Sequence, residues 1–155
     1  MEQEYKHILV AIDGSTESEL AFQKAVQVAI RNEATLLLVQ VIDPIAFQSF
    51  SGSEELMNEQ AIVQISEQVK RNMEDYLKTA KELGVKNVSY TIEYGSPKRI
   101  IAKDLAEEKK IDLIMIGATG LNALERFFMG SVSSYVIREA SCDVLVVRKN
   151  VENKV

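Results

Sequence analysis

The sequence predicts an α/β fold, a doubly wound domain built on a five-stranded parallel sheet with helices on both faces. Three observations predict it. Five short apolar runs, rich in β-branched residues, have the length of strands. Segments with helical periodicity separate them, giving the order β-α-β-α-β-α-β-α-β, and strict alternation of this kind produces a parallel sheet. The first, second and fourth runs are nearly continuous in apolar character, as strands covered on both faces should be. At 155 residues the chain has room for one domain, placed at 1–150, with 151–155 a frayed tail.

The first strand is HILVAID, His7–Asp13. A helix follows in which Phe22, Ala25, Val26, Ala29 and Ile30 share one face. The second strand is TLLLVQVI, Thr35–Ile42, and the stretch from Asp43 to Ser53 reads as a loop. A long helix then places Ile62, Ile65, Val69, Met73, Tyr76, Leu77 and Ala80 three or four apart and ends near Leu83, with Gly84 as its C′ residue. The third strand, Asn87–Tyr94, alternates Val88, Tyr90 and Ile92 with Ser89, Thr91 and Glu93, which suits a half-exposed edge. Ser96-Pro97 opens the third helix as N-cap and N1, and that helix carries Ile100, Ile101 and Leu105. The fourth strand is IDLIMIG, Ile111–Gly117. The last helix runs from about Gly130 to Ala140 with Val132, Val136 and Ala140 inward, and the last strand is DVLVVR, Asp143–Arg148.

Charge and composition narrow the function. Hydrophobic residues make up 46% and charged residues 26%, a globular balance that argues against disorder. A net charge of −5 argues against a general nucleic-acid binder. No apolar run approaches the ~20 residues that span a bilayer, and the acidic opening MEQEYKHILVAIDG lacks the basic region of a signal peptide. A cytoplasmic protein is expected, with no membrane and no nucleic-acid partner. One cysteine, Cys142, allows no internal disulfide.

In an open α/β sheet, ligands bind beyond the carboxyl ends of the strands, where strand order reverses. The junction after the fourth strand is the most informative of these ends. It reads Gly117-x2-Gly120-x9-Gly130-Ser131, and three of the chain's seven glycines fall in it. Glycines let backbone amides approach phosphate oxygens without a Cβ in the way. The amides of Gly130, Ser131, Val132 and Ser133 at a helix start suit an anion, and the hydroxyls of Ser131 and Ser133 add donors. The plainer reading is that Gly117 and Gly120 turn the chain and Ser131 is an N-cap. Asp13, ending the first strand, is likewise open to two readings: an N-cap, or a carboxylate placed for a ribose hydroxyl or a metal.

Other features limit the chemistry. Neither a Walker A pattern nor Gly-x-Gly-x2-Gly is present. The single histidine, His7, begins the first strand, at the end away from the expected site. Cys142 reads as a small buried hydrophobe. Lys109 and Lys110 read as a solvated helix end. Arg126 is open to a triphosphate contact or a surface role. Phe127, Phe128 and Met129 fit a lid, a helix anchor or a subunit contact equally well.

The chain resembles the nucleotide-binding branch of the universal stress protein family over nearly its whole length. The resemblance rests on ILVAIDGS at the first strand, VQVIDP ending the second, YGSP before the third helix, and the Gly117-to-Ser133 motif with its closing CDVLVVR. It implies the sheet order 3-2-1-4-5, so that Asp13 and Gly117 flank one crevice. It implies adenine against Ala11, Val41 and Ile116, ribose near Asp13 and Gly117, and phosphates on Gly120, Gly130, Ser131, Val132 and Ser133. Thr119 departs from the His or Arg often found in such proteins, which removes a side-chain contact to phosphate. The expected function is a non-catalytic, ATP-binding stress-response module, with Mg²⁺ or Mn²⁺ accompanying the triphosphate. The alternatives are a slow ATP-hydrolysing or nucleotidyl-transferring enzyme on the same scaffold, and an interaction module with an empty crevice. By the same resemblance the last strand lies at the sheet edge. Val144 to Val147 are all apolar there, with no proline or charge to protect them, so a homodimer through Asp143–Arg148 is expected.

Overall fold

The computed structural model describes residues 4–45, 59–119 and 129–149. Strands β1 (His7–Ala11), β2 (Thr35–Ile42), β3 (Asn87–Tyr94), β4 (Leu113–Gly117) and β5 (Asp143–Val147) form one sheet in the order β3-β2-β1-β4-β5. Every pairing is parallel, with β1 between β2 (Ile8 opposite Leu36) and β4 (Ile8 opposite Leu113). The doubly wound sheet is the one expected from the residue pattern, and its strand order is the one the resemblance implies.

Alternation along the central strands divides the core in two. Ile8 and Val10 of β1, Leu36 and Leu38 of β2 and Met115 of β4 face one side. That side is covered by α1 (Thr16–Asn32), through Phe22, Ala25, Val26 and Ala29, and by α2 (Glu59–Leu83), through Val69, Met73 and Ala80. Leu9, Ala11, Leu37, Val39, Ile114 and Ile116 face the other side. There they meet α3, across 97–108, and α4 (Ser131–Glu139). Between α1 and α2 the rings of Phe22 and Tyr76 meet edge-on, centroids 4.7 Å apart. The Tyr76 hydroxyl donates to the Glu19 carboxylate, and burial together with that bond pushes the phenol pKa up. Lys98 lies 5.4 Å over the Tyr135 ring and Lys103 pairs with Glu139 at 3.5 Å, so α3 and α4 are also tied at their surfaces.

Three expectations need correction. Helix α3 is not uniform: Pro97–Arg99 and Leu105–Glu108 are α-helical, but Ile100–Asp104 forms a π-helical turn. The widened turn lays Ile101 and Ala102, then Leu105 and Ala106, onto the sheet. Ser96 stands at the N-cap, but its hydroxyl makes no capping bond there. Strand β4 starts at Leu113 rather than Ile111, because Ile111 donates its N–H to Ala106 O to close α3. Asp112 is used on the neighbouring strand, its carboxylate accepting the N–H groups of Lys6 and His7.

Three helices end in the same way. After α1, Glu33 is left-handed (φ 52°), and Ala34 N–H reaches back to Ala29 O. After α2, Gly84 does the same at φ 114°, with Val85 N–H on Ala80 O. After α3, Lys110 takes φ 54° and Ile111 closes the motif. Only the second carries the glycine that favours this backbone, and that glycine marks its terminus in the sequence. The Asp43–Ser53 loop beyond residue 45, and the 151–155 tail, lie outside the described residues.

Candidate functional site

Strand order reverses between β1 and β4, and the residues that leave those two strands meet there. On the β1 side, Ile12 N–H still bonds Val39 O, and then the chain turns. Asp13 Oδ1 accepts the Ser15 N–H at 2.9 Å, an Asx turn made possible by Gly14 at φ 84°. Ser15 is the N-cap of α1, its Oγ accepting from Ser18 N–H. Asp13 is thus not the cap. It braces the turn that delivers the cap, and it is exposed at the carboxyl end of β1.

On the β4 side, the first turn of α1 crosses directly over Gly117. A Cβ there would lie 2.9 Å from Glu17 Cβ, 3.0 Å from Glu17 C and 3.1 Å from Ser18 N. Packing alone therefore requires this glycine. Ala118 N–H continues the ladder to Val147 O at 2.8 Å. Ala118 O then accepts twice, from Gly130 N–H at 2.8 Å and from Ser133 Oγ at 2.7 Å. These two bonds fasten the start of α4 to the end of β4. Thr119 N–H donates to Glu17 Oε2 at 2.7 Å.

Two donors expected to be open to an anion are consequently used within the fold: the Gly130 amide and the Ser133 hydroxyl, the latter on a side chain that is 2% exposed. Ser131 is not an N-cap either. Gly130 is, and Ser131 is the exposed first residue of α4. The first-turn amides of Ser131, Val132 and Ser133 have no acceptor within their helix, and the positive end of the helix dipole lies with them.

Gly130 differs from Gly117. Its φ of −63° and ψ of 159° suit any residue. A Cβ on it would meet Ala118 O at 3.4 Å, Thr119 Cα at 3.5 Å and Ser133 Oγ at 3.6 Å, ordinary contact distances. Among the described residues, neither the dihedral angles nor the packing excludes a side chain at this position.

Ala11, Val41 and Ile116 lie at the carboxyl ends of β1, β2 and β4 on the sheet face that carries α3 and α4. Ala11 and Ile116 are buried and Val41 half-buried, which gives the crevice an apolar wall. His7 is at the opposite end of β1. Cys142 precedes β5, packed against the apolar cluster, and burial raises its thiol pKa. Lys109 and Lys110 are exposed at the end of α3. Gly120, Arg126, Phe127 and Phe128 lie outside the described residues. Glu17 was not singled out from the sequence. Its contact spans 102 positions, and the only local signal is an acidic residue in a first helical turn.

This arrangement defines a class: a doubly wound α/β domain with apolar strand ends and the open amides of one helix start at its switch point. Within that class, the model of the universal stress protein family matches residues 4–148, and the chain belongs to that family. A Staphylococcus epidermidis relative named for the same family is 51% identical over 148 residues, covering 93% of this chain and 84% of its own length. The universal stress protein UspA from Lactobacillus plantarum superposes with a TM-score of 0.80 at 30% identity, over 95% of this chain and 100% of that one. A universal stress protein solved in complex with cAMP is 26% identical, with a TM-score of 0.65 over 94% of this chain and 98% of that one. No described helix is long and apolar enough to cross a membrane.

Proposed function

We propose that this chain is an ATP-binding, non-catalytic regulatory module acting as a homodimer in the cytoplasm. The adenine lies against Ala11, Val41 and Ile116, the ribose beside Asp13 and Gly117, and the phosphates over Gly120, Gly130 and the amides of Ser131, Val132 and Ser133. The observation that carries this reading is Gly130, a glycine at the N-cap of a helix beside the switch point, where the dihedral angles and the described neighbours leave room for a side chain. Close approach of a ligand is a reason for its missing side chain. The family member in complex with cAMP supports an adenine nucleotide. The donors here are neutral amides, with the carboxylates of Asp13 and Glu17 close by, so a triphosphate benefits from an accompanying Mg²⁺ or Mn²⁺.

Calorimetry with ATP and Mg²⁺ tests it. Gly130→Val should weaken binding at least about tenfold, ~1.4 kcal/mol, because a side chain then stands where phosphate oxygens approach. Thermal unfolding is read beside it: the added Cβ meets ordinary contacts among the described residues, and valine in place of an N-cap glycine should cost on the order of 1 kcal/mol of stability. Absence of ATP binding by wild type, or equal affinity in the variant, overturns the reading. Phosphate release from the same samples should stay well below ~1 s⁻¹. Efficient phosphoryl transfer needs a positioned base and strong charge stabilisation. His7 begins β1 and Cys142 precedes β5, so neither stands at the carboxyl ends of the strands, where such a base is needed. Turnover faster than that, lost in Asp13→Ala, favours the enzyme instead.

The dimer is carried by β5. It is the outer strand on its side of the sheet, it contains no proline, and Leu145 is 37% exposed on it. An apolar edge of this kind pairs readily with a second copy about a two-fold axis.

A further inference from the structure

We infer that Glu17 determines the charge specificity of the crevice: its carboxylate takes the place of a phosphate oxygen at the Thr119 amide, so polyphosphates bind well only with a divalent cation. The inference rests on the reading of the crevice as a nucleotide site and adds to it a residue and a selectivity.

Three observations lead there. The carboxylate of Glu17 accepts the Thr119 N–H at 2.7 Å, so an anionic oxygen already sits on a backbone donor of the glycine-rich junction. The first turn of its helix packs directly on Gly117, with no room for one added carbon between them, which places Glu17 over the end of β4. The charge is also near the N-cap of α4. A Cβ on Gly130 would lie 3.5 Å from Thr119 Cα, so the Glu17 oxygen is within roughly 8 Å of that position, inside the screening length of physiological salt. Glu17 is half-buried, which weakens screening further.

The consequences follow from charge alone. A neutral nucleoside does not feel Glu17. A monophosphate is repelled weakly, and a triphosphate without metal is repelled most. A divalent cation bound to the phosphates removes the repulsion. Glu17 therefore ranks ligands by net charge near the junction, whereas the apolar wall and the α4 amides rank them by shape and by hydrogen bonding.

The test measures affinities of the full chain for adenosine, AMP, metal-free ATP and ATP with Mg²⁺, in wild type and Glu17→Gln. Glutamine keeps the size of the side chain and can still accept the Thr119 N–H. Metal-free ATP should bind at least about tenfold tighter to Glu17→Gln, AMP should gain less, and adenosine should be unchanged. The gap between metal-free and Mg²⁺-loaded ATP should shrink by a similar factor. If the ligands bind but Glu17→Gln leaves that gap unchanged, or alters adenosine as much as ATP, the inference is wrong while the nucleotide site stands. If adenosine and ATP both fail to bind either protein, the site reading itself falls and this inference with it. Circular dichroism checks folding, and Glu17→Ala is read in the same way should the glutamine variant misfold.

Discussion

Proline at position 146 should turn a dimer into a monomer without unfolding it. The direction of the backbone in β5 makes this selective. Val147 O accepts from Ala118 N–H, so Val147 bonds inward to β4. In a strand the hydrogen-bonding side alternates, so the N–H of Val146 points to the open edge. A proline there removes an outward donor and leaves the β4 ladder intact. Under a two-fold axis the change acts in both copies. Two lost bonds and two obstructing rings should raise the dissociation constant at least about a hundredfold, ~2.8 kcal/mol. Sedimentation velocity at micromolar concentration reads the outcome, with circular dichroism to confirm the fold. A monomeric wild type would sink the dimer. A folded Val146→Pro that is as dimeric as wild type moves the interface elsewhere, and Phe127 and Phe128 are the next residues to change.

The second large effect is at Gly117. Gly117→Val should destabilise the fold by about 3 kcal/mol, the upper end of overpacking costs. The atoms in the way are Glu17 Cβ and C and Ser18 N, of which two are backbone and cannot rotate aside. For a domain of this size the loss corresponds to a fall in melting temperature of roughly 6–12 °C. The two glycines of one motif are thus expected to separate in the laboratory: Gly117→Val loses the more stability, and Gly130→Val loses ligand with the smaller loss of stability. Wild-type stability in Gly117→Val would show that α1 moves away more easily than its packing indicates.

The residue pattern carried most of the fold. Strands β2 and β3 begin and end at the expected residues because polar or glycine-containing turns bound them on both sides. The strand ends that shifted are the end of β1, at Ala11 rather than Asp13, where Asp13 already braces a turn, the start of β4, where Ile111 closes α3, and the end of β5, at Val147 rather than Arg148. The π-helical turn in α3 leaves no mark on the apolar spacing, because Ile100, Ile101 and Leu105 fit an ordinary helix equally well. At the site, the glycines were legible as a motif but not as two different requirements. That distinction depends on what crosses over each of them, and the first turn of α1 crosses only Gly117. Ser133 likewise has the chemistry of an anion donor, yet its hydroxyl is used to fasten α4 to β4. Hydrogen-bonding residues advertise capacity in a sequence, whereas their partners are set by tertiary contacts.

The position of β1 at the centre of the sheet has a consequence for the order of events during synthesis. Its two neighbours, β2 and β4, lie at very different distances along the chain, with Ile8 opposite both Leu36 and Leu113. Once Tyr94 has left the ribosome, β1, β2 and β3 can pair beneath α1 and α2, but the β4 side of β1 has no partner. The nascent chain must present the apolar run Ile8-Leu9-Val10 along an open edge until β4 and β5 arrive, roughly 50 residues and ~3–10 s later at ordinary translation rates. The crevice does not exist in that interval, since its far wall and every α4 amide are still unmade. A nucleotide held as proposed, across β1 and β4, would therefore occupy only chains whose two halves have closed.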